Sequence, residues 1–339
     1  MALDFRLPGP GFAAASSKAR TASETEVYDV VIVGGGPAGT TAVVYACRKG
    51  LNTLLVSENI GGQLLWTSGV ENFPGFQYVT GPELKAKFEA QIRQFPLALE
   101  LGTRVAHLEK TASGFLAVTE NGRRFQSRTV IIATGRNPRR LGIPGEQEFT
   151  GKGVTYCATC DAPLYAGQDV AVIGGGNSAL TSILDLAGVT RTVYSIHRRT
   201  EYRGDAVLIS KVESSPNVKR RLGYEPTAIK GADRVSGVEL HNLAGGALEN
   251  LAVSGVFIEI GSEPVTDFAR DLLKLPATSL QPPIVTNCRT ETAIPGLFAA
   301  GDATTVFENQ IVIAAGEGAK AALAAHAWLL SRPKPESAK

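Results

Sequence analysis

The chain has 339 residues, 44% of them hydrophobic and 19% charged, enough for two ordinary domains and a sizeable core. Its net charge of +2 gives no reason to expect nucleic acid or a membrane surface as partner, and no run approaches the ~20 apolar residues of a membrane span. Four cysteines do not make a secreted disulfide framework, and the four histidines lack metal-ligand spacing, so no metal is expected.

In chain order, residues 1–26 are rich in Ala, Ser, Gly and Pro without a clear period and read as a flexible N-terminal extension. They lack the basic start and apolar run of a secretory signal. Asp4, Glu24 and Glu26 balance Arg6, Lys18 and Arg20, which is not the acid-poor composition of a transit peptide. A cytoplasmic location is the expectation, with little to favour organellar targeting by residues 1–26.

VYDVVIVGGG from Val27 is a near-continuous apolar strand ending in glycines, as a buried parallel strand requires. PAGTTAVVYACRKG predicts a helix ending at Gly50, and LNTLLVSE a second strand. GPELKAKFEAQIRQF predicts a helix, and three strands follow up to Gly135, with a turn at Asn121-Gly122. DVAVIGGGNSALTSILDLAG repeats strand, glycine loop and helix, with Gly174 standing 140 positions after Gly34. Strands are expected at RTVYSIHRR, VSGVELHNL and AVSGVFIEIG. PPIVTNCRTETAIPGLFAAGDATTV reads as strands and a turn, NQIVIAAGEGAKAALAAHAWLL as a long helix, and SRPKPESAK as a solvated tail. Cys47, in the first helix, and Cys288, in a strand-like run, are both expected to be small buried residues.

Three motifs carry chemistry. Gly34, Gly36 and Gly39, with Pro37 and Ala38 between, fit G-x-G-x-x-G after a strand and before a helix. The glycines allow a tight turn, backbone approach to a pyrophosphate and close helix packing, and the helix N-terminus faces the phosphates. Glu58 stands 19 residues after Gly39, where an acid would bind a ribose. Gly174, Gly176 and Ala179, with Asn177 and Ser178, give a second such loop. No acid ends its next strand. His197, Arg198, Arg199 and Arg203 stand there instead, which suits the 2′-phosphate of NADPH; the alternative is a solvated basic patch.

Cys157-Ala-Thr-Cys160 lies 14 residues before Gly174. Half a zinc site would need a second ligand pair, and none is spaced for it. A buried structural pair is another reading, but the position between two nucleotide loops favours redox use. Asp161 serves either as a turn or cap residue, or as a group moving protons to and from the thiols.

The runs VIVGGGPAG, GGQLLWTSGVENFPG, ATGRNP, GVTYCATCDAP, AVIGGGNSA, HRRTEYR and IPGLFAAGDATT resemble low-molecular-weight bacterial-type thioredoxin reductases over roughly residues 27–330. NQIVIAAGEGAKAAL is also similar to the flavoprotein component of alkyl hydroperoxide reductase, whose extra N-terminal thioredoxin-like module finds no room in these residues. The resemblance implies an α/β fold of two Rossmann-like, three-layer ββα/βα domains, one inserted in the other, of the pyridine nucleotide-disulfide oxidoreductase type. An FAD domain would take residues 27–138 and 263–330, an NADPH domain with the CxxC residues 139–262, and a tail residues 331–339. Besides the first loop, Glu58, Gly62, Gln63, Asn72, Thr134, Gly135, Gly301, Asp302, Gln310 and Ile311 would line the FAD site. Cys160 would face the flavin and Cys157 attack the partner.

Two departures stand out. The family usually has arginine where this chain has Asn309, and a glutamate or two where it reads Leu180-Thr181-Ser182. The implied activity is an NADPH-dependent thioredoxin-disulfide reductase, homodimeric, with a thioredoxin-like partner. The alternatives are a relative fed by ferredoxin, one serving a peroxidase-linked carrier, and a non-catalytic FAD-binding scaffold.

Overall fold

The computed structural model describes residues 18–67, 69–276, 278 and 281–332. The chain opens with β1 (Arg20–Thr21), β2 (Val27–Gly35), α1 (Pro37–Arg48), β3 (Thr53–Ile60), α2 (Gly81–Arg93), β4 (Ala98–Leu101), β5 (Val105–Lys110), β6 (Phe115–Thr119) and β7 (Arg124–Ile132). These strands lie in the order β1-β4-β3-β2-β7-β6-β5. Pairing is parallel from β1 to β7 and antiparallel where β7, β6 and β5 form a meander. Val30, Val31 and Ile32 are fully buried because the sheet is covered on both faces, so the run is continuously apolar rather than alternating. α2 begins with a capping box in which Thr80 and Glu83 satisfy each other's backbone amides.

The flexible extension expected through residue 26 does not hold for residues 18–26; residues 1–17 lie outside the described part. Arg20 and Ala22 donate to the carbonyls of Leu97 and Leu99, adding β1 to the edge of the sheet. A two-residue strand is too short to show any period, so nothing in the sequence marks it.

β8 (Arg136–Pro138) leads out of this sheet. It is followed by β9 (Val154–Thr155), α3 (Ala158–Asp161), β10 (Asp169–Ile173), α4 (Asn177–Ala187), β11 (Thr192–His197), α5 (Ala206–Ser214), β12 (Val218–Leu222), β13 (Tyr224–Gly231), β14 (Val235–Asn242), β15 (Leu248–Ala252) and β16 (Gly255–Ile258). A five-stranded parallel sheet has the order β12-β11-β10-β16-β9, and β13-β14-β15 form an antiparallel layer beside it. β17 (Ser262–Pro264) then pairs antiparallel with β8, so the outgoing and returning chains run side by side.

After α6 (Arg270–Leu273), β18 (Leu297–Ala299) adds parallel to β7, extending the first sheet to eight strands. α7 (Ile311–Leu330) closes the fold against α1. A Cβ on Gly318 would run into the Ala38 carbonyl, so glycine is what lets the two helices approach. The stretch 282–296, read as strands, is mostly loop. Cys288 there is exposed rather than buried, while Cys47 is partly buried.

Both sheets reverse direction of winding beside their first strand, between β2 and β7 and between β10 and β16. In doubly wound sheets, ligands bind beyond the carboxyl ends of the strands at such switch points. Both glycine loops leave from there. The mixed α/β class and the two Rossmann-like sheets agree with the sequence expectation.

Candidate active site

The first loop is held by sterics. Gly34 has φ +106°, and a Cβ on it would strike the Ala133 carbonyl at the end of β7. A Cβ on Gly39 would strike the Gly34 carbonyl, so only glycine lets α1 sit on the loop. Gly36 faces open space. Pro37 takes the first helical position, where its missing N–H costs nothing, and no side chain caps this terminus. The first-turn amides near Ala38 and Gly39 are thus left for an anion. Gly62 lies across from this loop: a Cβ on it would come 3.3 Å from the Gly36 Cα. Glu58, near the end of β3, is exposed and accepts from Arg104 Nε at 2.9 Å.

Beyond the loop, residues distant in sequence come together. Gln63 Nε2 donates to the Arg136 carbonyl at 3.0 Å, and Arg136 Nη1 to Asn309 Oδ1 at 3.3 Å. Asn72 Nδ2 donates to Gln310 Oε1 at 3.0 Å. Ile311 opens α7 and packs on the cluster of Leu64, Val70, Val79 and Leu84. Thr134 Oγ1 donates to the Val265 carbonyl at 2.6 Å, and the Gly135 carbonyl accepts from the Val265 amide. The Gly301 amide donates to Glu317 at 2.9 Å.

Burial pushes the Asp302 carboxyl up to about 6; Arg136 opposes the shift and Glu317 adds to it. Asp302 has no hydrogen-bond partner among the described residues, and Arg136 Nε is buried without one. The site therefore holds an acid and a donor with open valences, a glycine cradle and an uncapped helix terminus. These residues fit FAD.

The second loop repeats the scheme. Gly174 has φ +150°, and a Cβ there would strike the Glu259 carbonyl at the end of β16. Gly176 faces open space, and α4 has no side-chain cap. Ala179 is buried under the loop, whereas Ser178 is exposed. Asn177 is committed to Asp205, donating from Nδ2 at 3.1 Å and accepting the Asp205 amide at 2.8 Å. The Arg203 amide donates to the Gly175 carbonyl at 2.7 Å, bringing that arginine to the loop. The His197 ring sits where a Cβ on Gly175 would be and stacks on Tyr202. Burial lowers the His197 pKa, and Arg199, Arg198 and Arg203 lower it further. Among the described residues none of these three arginines makes a side-chain ion pair, so they remain available to a phosphate.

Cys157 and Cys160 are joined as a disulfide with Cα atoms 5.3 Å apart. Cys157 is the N-cap of α3, its sulfur accepting from the Cys160 amide at 3.2 Å. Asp161 is buried and accepts from the Thr155 hydroxyl, while its other oxygen has no partner. Burial pushes its carboxyl up, against the Thr155 hydrogen bond. Its carboxyl is thus held above the ordinary carboxylate range, next in the chain to Cys160.

Sequence reasoning missed three residues here. Glu259 accepts from Ser182 Oγ at 2.9 Å and the Ala158 amide at 3.4 Å. Arg136 reaches both Asn309 and the field of Asp302. Arg140 lies over the rings of Trp66 and Tyr156, at 5.6 and 5.8 Å. No local pattern marks Glu259 or Arg140, and the ATGRNP run that contains Arg136 gives that side chain no role.

The profile of the pyridine nucleotide-disulphide oxidoreductases matches residues 28–325, and the chain belongs to that family. It is therefore an oxidoreductase, of the class that links FAD and a pyridine nucleotide to a disulfide. The F component of alkyl hydroperoxide reductase in Staphylococcus aureus is 40% identical over 305 residues, which make up 90% of this chain and 60% of that protein. The chain thus spans about three-fifths of that curated relative. Thioredoxin reductase from Streptococcus pyogenes is 35% identical and superposes with a TM-score of 0.86, covering 90% of this chain and 99% of that one. Lactococcus lactis thioredoxin reductase in its FR conformation is also 35% identical, covering 90% of this chain and 100% of that one, but its TM-score is 0.61. Among the described residues no helix is long and apolar enough to cross a membrane.

Proposed function

We propose that this chain draws electrons from NADPH and delivers them, through FAD and the Cys157–Cys160 pair, to a thioredoxin-like protein. The observation that carries the reading is the disulfide on α3, which packs on the very helix that the second glycine loop opens. When bound, FAD supplies the two-electron link between a nicotinamide and a disulfide.

The rest is the work of the chain. The loop and first turn of α1 would take the FAD pyrophosphate, Glu58 the ribose, Asp302 the ribityl or phosphate part, and Arg136 would add a donor beside it. The uncapped start of α7 at Gln310 and Ile311 favours negative charge. The first turn of α4 and Arg198, Arg199 and Arg203 take NADPH. Cys157 attacks the partner disulfide as a thiolate, Cys160 faces the flavin, and Asp161 passes the proton. We assign residues 27–138 and 263–330 to the FAD domain and 139–262 to the NADPH domain. A homodimer in the cytoplasm follows from the family resemblance alone.

A second reading, service to a peroxidase-linked carrier, is favoured by the 40% identity to the F component of alkyl hydroperoxide reductase. The free arginines argue against a ferredoxin-fed relative, and the intact CATCD run against a scaffold.

The test is an anaerobic titration of the yellow protein with NADPH and with NADH, followed by oxidised thioredoxin. NADPH should reduce the disulfide and bleach the flavin within about two equivalents, one for each two-electron centre, NADH far less readily, and thioredoxin should restore the colour. Failure of NADPH to bleach it would reject NADPH as donor, and a chemical reductant with thioredoxin would then separate a ferredoxin-type enzyme from a scaffold. Colour restored by a peroxidase-linked carrier and not by thioredoxin would establish the second reading.

A further inference from the structure

β16 pairs in parallel with β10, Ile258 beside Ile173, which puts Glu259 just past the strand end at the switch point. Its backbone is fully used. The amide donates to the Ile173 carbonyl at 2.8 Å, and its own carbonyl closes over Gly174. Its side chain turns toward α3 and α4. One oxygen, Oε1, accepts from the Ser182 hydroxyl on α4 at 2.9 Å and from the Ala158 amide at 3.4 Å. That amide belongs to the peptide bond leaving Cys157. A single carboxyl therefore joins the nucleotide-loop strand, the nucleotide-loop helix and the turn that holds the disulfide.

Burial pushes this carboxyl up to about 7, and Asp185 on α4 pushes the same way, while Ser182 and Ala158 oppose. Asp185 is the charged side chain that acts on it, and among the described residues no cation pairs with it.

We propose that Glu259 is a positioning residue of the dithiol, anchoring the Cys157–Ala158 turn to α4 and setting by its charge how readily Cys157 becomes a thiolate. The proposal rests on the dithiol reading above. A carboxylate one peptide unit from a sulfur disfavours a second negative charge there, whereas a neutral carboxyl does not. The thiolate is the attacking form, so Cys157 is restrained once Glu259 ionises. Ionisation of Cys157 gives up its proton, to Asp161 or to solvent, and no other bond changes.

The test alkylates the dithiothreitol-reduced holoenzyme with iodoacetamide from pH 5.5 to 9, following Cys157 by peptide mass. The wild-type profile should show an inflection near pH 7 besides that of the thiol. Glu259→Gln keeps the shape and an acceptor. It should remove the inflection and raise the Cys157 rate about five- to tenfold at pH 8, corresponding to about one pKa unit, with little change at pH 5.5. Ser182→Ala should keep the inflection but move it to higher pH, because the lost hydrogen bond favoured the charged form. A Glu259→Gln profile that superimposes on wild type, or falls below it at pH 8, overturns the proposal. A parallel arm reduced with NADPH isolates the underlying reading. Failure there alone, with Cys157 still alkylated after dithiothreitol, rejects NADPH as donor and leaves the role of Glu259 standing.

Discussion

Arg139 and Glu263 pair across the two chain crossings, Nε to Oε1 at 2.8 Å, locking β8 and β17 into one ribbon. Any rotation of one nucleotide-binding half against the other has to pivot on that ribbon. On the proposed function, rotation is required: the disulfide and the second glycine loop lie in the same half of the chain, and each would have to reach the flavin while the disulfide also met a protein. Two thioredoxin reductases of equal identity to this chain superpose with TM-scores of 0.86 and 0.61, the second in its FR conformation.

The clasp on the present pose is Arg140, between Trp66 and Tyr156, the neighbour of Cys157. Cation–π contacts of this kind contribute about 0.5–1 kcal/mol each. If turnover requires leaving this pose, Arg140→Ala should keep or raise kcat, by at most about tenfold, and change the fluorescence of Trp66. A large fall in kcat with FAD still bound would mean that this single pose serves every step.

The proposed preference for NADPH rests on side chains that make no ion pair among the described residues. Arg198, Arg199 and Arg203 are exposed, so each charge-assisted bond to a 2′-phosphate contributes about 1 kcal/mol or more after solvent screening. The double variant Arg198→Ala/Arg199→Ala should raise KM for NADPH about tenfold or more and leave NADH kinetics nearly unchanged. Equal losses with both cofactors would remove these residues from the 2′-phosphate site.

Gly36 and Gly39 should respond in opposite ways to the same change. Gly36 has an ordinary φ of −73° and open space around it, so Gly36→Ala should fold with unchanged stability yet bind FAD more weakly. Gly39→Ala forces a methyl into the Gly34 carbonyl and should cost about 1–3 kcal/mol or more, by the usual penalty of overpacking. Urea midpoints and FAD content of the two purified variants measure this. A Gly36 variant as destabilised as the Gly39 variant would show that the open space is not the ligand's.

What the sequence shows and hides divides along physical lines. The runs that become β2 and β10 are continuous apolar stretches, and the glycines after them are demanded by neighbouring backbone, so strand and loop are marked locally. Cys288 is misplaced by its local sequence, because the run that leads into it is apolar enough to pass for strand. Asn287 instead folds the chain there into a turn by accepting from the amides of Arg289 and Glu291. Glu259 and Arg136 gain their meaning only from long-range pairing: β16 beside β10 for one, β18 beside β7 for the other. For Glu58 the sequence shows its place near the end of β3 but not Arg104, which comes from the loop before β5.

Asp302 should make flavin-free protein less stable as pH rises. Its folded value is about 6 against an ordinary 3.8, so the native state binds the proton more tightly than the unfolded chain does. The stability it contributes is fully present below about pH 4 and is lost as pH rises through about 6. A shift of about two units corresponds to roughly 3 kcal/mol, to order of magnitude. Asp302→Asn removes the titration, so flavin-free wild type should weaken between pH 4.5 and 7.5 by more than the variant does, read by urea unfolding at several pH values. Parallel profiles would show that Asp302 is not held above the ordinary carboxylate range.

The two sulfurs are assigned different work, and each assignment has its own signature. Cys157 caps α3 and precedes the Ala158 amide, whereas Cys160 lies within the short helix, its amide bonded back to the Cys157 sulfur. If Cys157 attacks the partner, Cys160→Ser should trap a thioredoxin-like substrate as a stable mixed disulfide, because the thiol that would resolve it is gone. Cys157→Ser should let NADPH reduce the flavin, fail to reduce the partner, and trap it only weakly. Both variants should lose disulfide-reductase turnover by at least about 100-fold, since a lone thiol has no partner to close the cycle. Non-reducing gels with mass identification of the linked cysteine read the trap. Strong trapping through Cys160 and weak trapping through Cys157 would exchange the two roles.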